Sequence, residues 1–241
     1  RHAGAPLRQD PGGGGPGSQA GHSACAPGIY REDLVIRGRG FALQGGGRDR
    51  TRLQPRSLQL LDAGERFDPS GTLHLALRDL QIDGGALHVE WFEDLTLENV
   101  SIVGTDLEVD AEYLYVSSFT QLASHLEIKD VVITGGTIRA VGAPGPFLKA
   151  RIDSLSAPEA VVDFSVGPFG FLKVDITNST LGALDFNGIE SSWRVGIADT
   201  RFTGAGLGLS FDRDAGTQEG HVESVIFEDG GIRLAHGGGR C

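Results

Sequence analysis

The sequence predicts an all-β fold, a parallel β-helix in which short strands stack coil upon coil. Three observations lead to this prediction. Apolar residues recur with one phase at intervals of 20 to 31 residues, they alternate with polar residues within each short stretch, and no stretch has the spacing of a substantial helix. Alternation with period two is typical of strands that bury one face. Because a single coil cannot bury that face alone, we expect the coils to share one continuous core.

One apolar position anchors the repeat in seven successive segments. Its members are Leu77, Leu97, Ile128, Ile152, Ile176, Ile197 and Val222, with steps of 20, 31, 24, 24, 21 and 25 residues. A second apolar pair follows three and five residues later, and a third pair ten and twelve residues later, as Leu80/Ile82 and Leu87/Val89 follow Leu77. In the segment that starts at Ile176, the third pair comes two residues early, as Leu184/Phe186. We therefore expect three short strands in each coil.

Two alternative repeat folds fit less well. A leucine-rich repeat has similar periods, but its asparagine-anchored consensus is missing. A β-sandwich would not keep the same apolar phase through seven successive segments. The prediction is therefore one β-helix of about nine coils over residues 26–235, with a disordered glycine-rich leader at 1–25 and a flexible tail at 236–241.

Composition and charge narrow the classes of partner. The net charge of −11 opposes non-specific binding to nucleic acid, which depends on basic groups that neutralise phosphates. No apolar run approaches the roughly 20 residues of a membrane-spanning helix, and no signal peptide is evident. Cys25 and Cys241 flank the predicted solenoid and are expected not to pair with each other. We expect the chain to act as a monomer.

The first predicted coil resembles a known family. Residues 28–38 read GIYREDLVIRG, and FALQGGG and TRL follow at 41–47 and 51–53. This pattern resembles the opening coil of pectate-lyase-like right-handed parallel β-helices, especially relatives of pectin methylesterases. The resemblance implies a right-handed coil, a secreted or envelope location, and an acidic polysaccharide or cell-surface glycan as partner. A spacing of 46 residues predicts that Leu34/Ile36 and Phe41/Leu43 lie two coils before Leu80/Ile82 and Leu87/Val89.

A second segment bears on catalysis. Residues 163–167, DFSVG, are similar to the pectin methylesterase segment whose aspartate is the nucleophile, which makes Asp163 a candidate catalytic residue. The second aspartate, the glutamine and the arginine motif of that family are not recognisable, and a nucleophilic carboxylate needs a partner acid. Asp163 is also simply the outward residue between Val162 and Phe164. A lyase that uses Ca²⁺ and one base stays open, with Arg139 as the candidate base.

Outward residues between the third apolar pairs form a predicted surface ladder. Its members in order are His88, Glu108, Arg139, Asp163, Asp185, Gly208 and Arg233. Stacked coils would place neighbours about 4.8 Å apart, so that Glu108 lies between His88 and Arg139. Alternating charges there support the strand register, which is the favoured interpretation, or form a sugar or cation site that includes His88.

An acidic cluster offers a candidate calcium site. Asp106, Glu108, Asp110 and Glu112 share one face of a predicted strand, and Glu90 falls beside Asp110 in the preceding coil. Oxygen-rich clusters of this kind can hold Ca²⁺. The alternative is a strand edge that is kept soluble by its charge.

Aromatic residues suggest where a sugar would bind. The segment from Leu97 to Ile128 is about 11 residues longer than its predecessor, and an insertion in one coil often maps to the binding face. It contains Tyr113, Tyr115 and Phe119, and Trp91 ends the preceding coil. Such rings stack on sugar faces, although they could instead cover the core of the insertion itself.

These observations favour an extracellular module that binds carbohydrate without catalysis or serves as a surface scaffold. The candidate surface lies around Trp91, Glu108, Asp110, Tyr113 and Tyr115. The alternatives are a polysaccharide lyase or carbohydrate esterase that uses Asp163 and Arg139, and a purely structural spacer.

Overall fold

The computed structural model describes residues 21–37, 40–61, 74–90, 94–111, 123–142, 147–168, 170–188, 191–212 and 217–237. Over these residues the regular structure consists of strands. None of them belongs to a helix of the length and apolar character needed to cross a membrane.

The strands are short and follow one another at regular intervals. In chain order they are β1 (Gly21–Ala24), β2 (Gly28–Tyr30), β3 (Leu34–Arg37), β4 (Phe41–Gln44), β5 (Thr51–Leu53), β6 (Ser57–Leu61), β7 (His74–Asp83), β8 (Ala86–Glu90), β9 (Asp94–Val103), β10 (Asp106–Ala111), β11 (Ala123–Lys129), β12 (Val132–Thr134), β13 (Thr137–Gly142), β14 (Phe147–Asp153), β15 (Ser156–Val166), β16 (Phe171–Thr177), β17 (Thr180–Gly188), β18 (Ser192–Ala198), β19 (Arg201–Asp212), β20 (Gln218–Glu223), β21 (Ile226–Phe227) and β22 (Gly231–Gly237).

The strands stack in parallel as three columns, each of which is one face of a solenoid. The first column runs β1, β4, β7, β9, β11, β14, β16, β18, β20. The second runs β2, β5, β7, β9, β12, β15, β17, β19, β21. The third runs β3, β6, β8, β10, β13, β15, β17, β19, β22. The long strands turn a corner and serve two columns.

The predicted repeat is confirmed residue by residue. In the first column Leu77 pairs with Leu97, and the register continues through Ile128, Ile152, Ile176 and Ile197 to Val222. The nine strands of that column, counted over the described residues, agree with the predicted number of coils. The all-β parallel β-helix is therefore observed, and its right-handed sense stays a prediction.

The predicted two-residue deletion is confirmed as well. Leu184 and Phe186 pair with Val162 and Phe164, and the register shifts by two residues between β15 and β17 immediately before them. In a parallel ladder, inward residues must stack on inward residues. The bulge in β15 therefore restores the match between the inward residues of the two strands.

The core is a continuous apolar stack between the three columns. Leu77, Leu97, Ile128, Ile152 and Ile176 have no solvent exposure. Rings also stack on rings inside, since the Phe164 and Phe186 centroids lie 5.5 Å apart and those of Phe202 and Phe227 lie 5.1 Å apart. Because each coil covers only its neighbours, the apolar faces of the inner coils are buried from both sides.

The corner between the first and second columns has the same shape from coil to coil. Its residues adopt positive φ angles of 48° to 59°, and they are Asp79, Asn99, Asp130, Ser154, Asn178, Asp199 and Ser224. Each lies two residues after a member of the anchor position. Asn and Asp tolerate the left-handed region better than most residues with a side chain. The amide of Asn99 also donates a hydrogen bond of 2.5 Å to Asp79, which links successive corners.

The placement of the first two coils corrects one prediction. Leu34 pairs with Leu58 and through it with Leu87, so β3 lies in the third column and not beside Leu80. Phe41 pairs with Leu75, which places β4 in the first column and not beside Leu87. The 46-residue spacing equals the length of two coils only by coincidence. Strands of all three columns show the same alternation of apolar and polar residues, so the alternation alone does not identify the column.

The boundary at the beginning of the solenoid also differs from the prediction. Strand β1 starts at Gly21 and pairs with β4, and Cys25 is only 4% exposed, whereas the sequence predicts a disordered leader through residue 25. Burial raises the pKa of the Cys25 thiol. The glycine-rich composition thus led to a predicted disordered leader that includes residues 21–25, which the structure places in the solenoid. Residues 1–20 and Cys241 lie outside the described residues.

Candidate functional site

The predicted outward ladder of the third column is present in the predicted order. Glu108 pairs in register with His88 on one side and with Arg139 on the other. The ladder continues from Arg139 to Asp163 and then to Asp185. It reaches Gly208 and Arg233 in the last two coils. The parallel register alone brings these residues together from positions far apart in the chain.

Glu108 is the centre of this ladder. One carboxylate oxygen lies 3.3 Å from Nδ1 of His88, and the other lies 3.7 Å from Nη1 of Arg139. These side chains are partly exposed, so water screens the attraction and each pair contributes little to stability. The geometry supports strand register and leaves the sugar or cation site a prediction.

We expect Glu108→Lys to lower the free energy of unfolding by about 1 kcal/mol, because it would place a third basic group between two others. Thermal and urea unfolding measure this change. Glu159→Lys is the matched control, because Glu159 is exposed and has no ion-pair partner among the described residues. Equal melting of the two variants would show that the ladder contributes no stability. The difference should shrink in high salt.

The candidate catalytic residue Asp163 lies in a polar setting on the outer face. Its Oδ1 accepts a hydrogen bond of 3.1 Å from the Asn187 amide. The next ladder position, Asp185, lies 3.3 Å from Nη2 of Arg233. Asp163 and Arg139 are neighbours in register, and Asp185 is a second adjacent carboxylate that the sequence analysis did not consider as a catalytic partner.

Of the predicted calcium cluster, only the strand register is observed. Asp110 pairs with Glu90, as predicted. Asp106 accepts hydrogen bonds of 2.9 Å from both the backbone amide and the hydroxyl of Thr137, so its carboxylate links two coils. Over the part of the chain that is described, no group of three or more His, Cys, Asp or Glu side chains is arranged to hold a metal ion. The calcium site stays a prediction.

Several predicted site residues cannot be placed. Trp91, Glu112, Tyr113, Tyr115 and Phe119 lie outside the described residues. The 11-residue length difference predicted for this coil corresponds to residues 112–122, which separate β10 from β11. The aromatic binding surface therefore stays a prediction.

The outer face of the first column carries a groove that sequence reasoning missed. It has a volume of about 350 Å³ and spans four successive coils. The polar and small side chains that line it include His74, Ala76, Asp94, Thr96, His125 and Glu127. Asp94 lies at its centre, with one carboxylate oxygen 2.6 Å from Nδ1 of His74 and the other 3.2 Å from Nδ1 of His125. The carboxylate orients both rings, and neither contact uses the Nε2 atoms.

Basic residues continue the groove along the solenoid axis. His125 pairs in register with Lys149, Lys149 with Lys173, and Lys173 with Arg194. We call these four residues the basic ladder. The chain has only three lysines, and all three, Lys129 included, lie in first-column strands. Acidic residues occupy other outward positions of the same face, among them Glu127 and Asp175, whereas the four positions of the basic ladder hold none.

Only some positive charges of the basic ladder have an ion-pair partner. Lys173 lies 3.1 Å from Asp175, and Arg194 lies 2.8 Å from Glu219. For Lys149, in contrast, the described part of the chain provides no ion-pair partner. Like charges that face each other across parallel strands destabilise a sheet. An anion bound along the ladder would relieve this repulsion.

Asp153, four residues after Lys149 on the same strand, has a hydrogen-bonded carboxylate. The amide of Asn178 and the hydroxyl of Thr177 donate hydrogen bonds of 2.9 Å and 3.0 Å to Asp153, and these bonds lower the pKa of its carboxyl group. These bonds hold Asp153 at its corner, and among the described residues it forms no ion pair with Lys149.

The signal for this face was available in the sequence. Each member of the basic ladder lies three residues before the anchor position, as Lys149 precedes Ile152 and Lys173 precedes Ile176. The same offset gives His74 and Asp94. The sequence prediction covered the outward positions of the third column and did not extend to those of the first.

Comparisons with known proteins found no relative. No protein-family model matches the chain, and neither a curated protein nor a solved structure matches it. The parallel β-helix is therefore established from the structure alone.

Proposed function

We propose that this protein is an extracellular, non-catalytic module that binds an acidic polysaccharide along the outer face of the first column. The observation that carries the proposal is the basic ladder, which presents His125, Lys149, Lys173 and Arg194 in four successive coils. Successive coils repeat about every 4.8 Å, so a polymer with regularly spaced carboxylates can lie along the axis and meet one cation after another.

The groove next to the ladder supports a sugar as the ligand. Thr96 and the rings that Asp94 orients offer hydroxyl and imidazole groups for hydrogen bonds to sugar hydroxyls. The flat outer face of a sheet excludes little water, which suits binding of a long polar polymer better than chemistry on one bond. The resemblance of the opening coil to pectate-lyase-like proteins supports the same class of ligand and a location outside the cytoplasm.

Lys149→Glu tests the proposal, with affinity measured by calorimetry on acidic and neutral polysaccharides. We expect binding of the acidic polymer to weaken about tenfold, which corresponds to the loss of one charge-assisted contact. Thermal stability should be unchanged or slightly raised, because the new carboxylate would face Lys173. A structural role alone predicts no loss of affinity.

Lys129→Glu is the matched control, with the same charge change on the same face. Lys129 lies 3.5 Å from Glu98 and outside the basic ladder. We expect it to keep most of the affinity and to lose a little stability. Equal weakening by both variants would mean that only net charge matters, and no binding of any acidic polymer by the unmodified protein would overturn the proposal.

The second candidate function is a polysaccharide lyase or carbohydrate esterase, and the adjacency of Arg139 and Asp163 favours it. Incubation with acidic polysaccharides, with and without Ca²⁺, followed by mass spectrometry of the products, distinguishes the two. Unsaturated or de-esterified fragments would make the protein an enzyme and direct attention to Asp163, Arg139 and Asp185. Intact polymer would support binding alone.

A further inference from the structure

Two aromatic side chains interrupt the polar outer face of the first column. Phe147 and Phe171 are the first residues of β14 and β16, and they pair in register. Both are half-buried and alternate with the buried Leu148 and Leu172, so their rings lie on the outer side of the sheet. At the other outward positions of this column, over the described residues, the side chains are polar or small.

The two rings contact each other without forming part of the core. Their centroids lie 5.0 Å apart and their planes are inclined by 42°, whereas Phe164 and Phe186 in the core are nearly parallel at 11°. Beyond Phe171 the register continues to Ser192, whose side chain is too small to cover a phenyl ring. Ring surface therefore stays in contact with water, which the hydrophobic effect disfavours unless a ligand covers it.

Two cations without an ion-pair partner lie beside these rings. Lys149 and Arg151 follow Phe147 on the outer side of β14, and both are exposed. Among the described residues neither forms an ion pair, although Glu127 and Asp175 flank Arg151 in register. Successive outward residues of one strand lie about 7 Å apart, so a single ligand residue can contact a ring and a lysine at the same time.

We propose that Phe147, Phe171 and Lys149 form a subsite for one uronic acid residue of a bound polysaccharide. The inference rests on the proposed function and names the part of the surface that distinguishes a sugar from other polyanions. The C–H face of the pyranose ring lies on the two phenyl rings and covers their exposed surface. The carboxylate on the edge of that sugar pairs with Lys149, and neighbouring residues of the polymer meet the rest of the basic ladder.

The small size and polar border of the aromatic pair favour a sugar as its occupant. Two phenyl rings can cover one sugar face, and Lys149, Lys173 and Ser192 surround them on the outer side. An alkyl chain or the apolar face of a helix would bury more apolar surface than this pair offers. Polyphosphate would pair with the cations and leave the rings uncovered. A ligand with a carboxylate and an apolar face on the same residue uses both features.

Phe171→Leu tests the subsite, with affinities for a polymer of uronic acid and for polyphosphate measured by calorimetry. Leucine keeps much of the apolar surface of phenylalanine but lacks the flat ring. We expect binding of the uronic acid polymer to weaken about fivefold, the size of one lost ring contact. Binding of polyphosphate should not change, because it contacts charges alone. Lys149→Glu should weaken binding of both polymers.

Val161→Ala is the control for the loss of outward apolar surface. Val161 is 39% exposed and lies on the third column, away from the basic ladder. We expect this variant to bind both polymers as the unmodified protein does. Thermal unfolding followed by circular dichroism checks that each variant keeps the fold.

Saturation-transfer NMR supplies a readout that a purely structural role of the rings would not move. Irradiation of the aromatic protons should transfer magnetisation to the ring C–H protons of a bound uronic acid oligomer. The transfer should fall strongly in the double variant Phe147→Leu/Phe171→Leu.

The outcomes separate this subsite from the proposed function. If Phe171→Leu binds the uronic acid polymer as tightly as the unmodified protein, or loses affinity for both polymers equally, the subsite is wrong and the basic ladder remains the binding surface. If the unmodified protein binds no polymer of uronic acid, the proposed function is wrong and the subsite with it.

Discussion

Phe164→Ala is expected to lower the free energy of unfolding by about 3–5 kcal/mol, the usual cost of removing a fully buried ring. Phe164 has no solvent exposure and stacks on Phe186 at an interplanar angle of 11°. On its other side it pairs with the buried Ala140, which is too small to fill the space that the ring would leave. Urea unfolding followed by circular dichroism measures the loss.

Phe171→Ala is the matched control for this substitution. Phe171 is half-buried on the outer side of its strand and contacts Phe147 at a centroid distance of 5.0 Å. The same chemical change should cost there about 1–2 kcal/mol, because the outer ring is not enclosed by the core. Similar losses for the two variants would mean that the coil interior relaxes around the cavity, contrary to tight packing of the core.

Gly136→Ala is expected to destabilise the protein by about 3 kcal/mol for a backbone reason. Gly136 has a φ of +95° at the corner between the second and third columns, and a Cβ there would lie 2.3 Å from the carbonyl oxygen of Thr105 in the preceding coil. Relief of that contact requires the two coils to separate locally, which also disturbs their hydrogen bonds. Thermal unfolding measures the effect.

Gly104→Ala separates strain from crowding. Gly104 lies at the same corner one coil earlier with a φ of +58°, but a Cβ added there would have no atom of another coil within 4 Å. We expect this variant to lose only about 1 kcal/mol, the cost of the left-handed conformation alone. If Gly104→Ala were as damaging as Gly136→Ala, φ and not the approach of the neighbouring coil would be the dominant constraint.

The periodic part of the structure could be predicted from the sequence. A parallel ladder places equivalent residues of successive coils beside each other. When apolar residues recur at the same position of each coil, the pairing of the strands therefore follows from the sequence. For this reason the series from Leu77 to Val222, the two-residue deletion before Leu184 and the neighbours of Glu108 were all predicted correctly. The same logic, applied to the outward positions of the first column, places Lys149 beside Lys173.

Where the repeat is irregular, the sequence was not sufficient to predict how the strands pair. Leu34 and Phe41 show the same alternation as any inward pair, so only the three-dimensional pairing assigned them to the third and first columns. The glycine-rich composition before Cys25 predicted no strand there, yet β1 forms because it pairs with β4. Resemblance of one coil likewise did not identify a family.

By itself, the sequence determined the fold class, the phase of the core and the identity of each outward neighbour, because all three follow from one repeating alternation. Only the tertiary structure decided which column the first coils join, and that each carboxylate oxygen of Asp94 lies within 3.2 Å of an imidazole nitrogen. The physical reason is that alternation specifies inside and outside, whereas the column that a strand joins and the directions of its outward side chains depend on how the coils close.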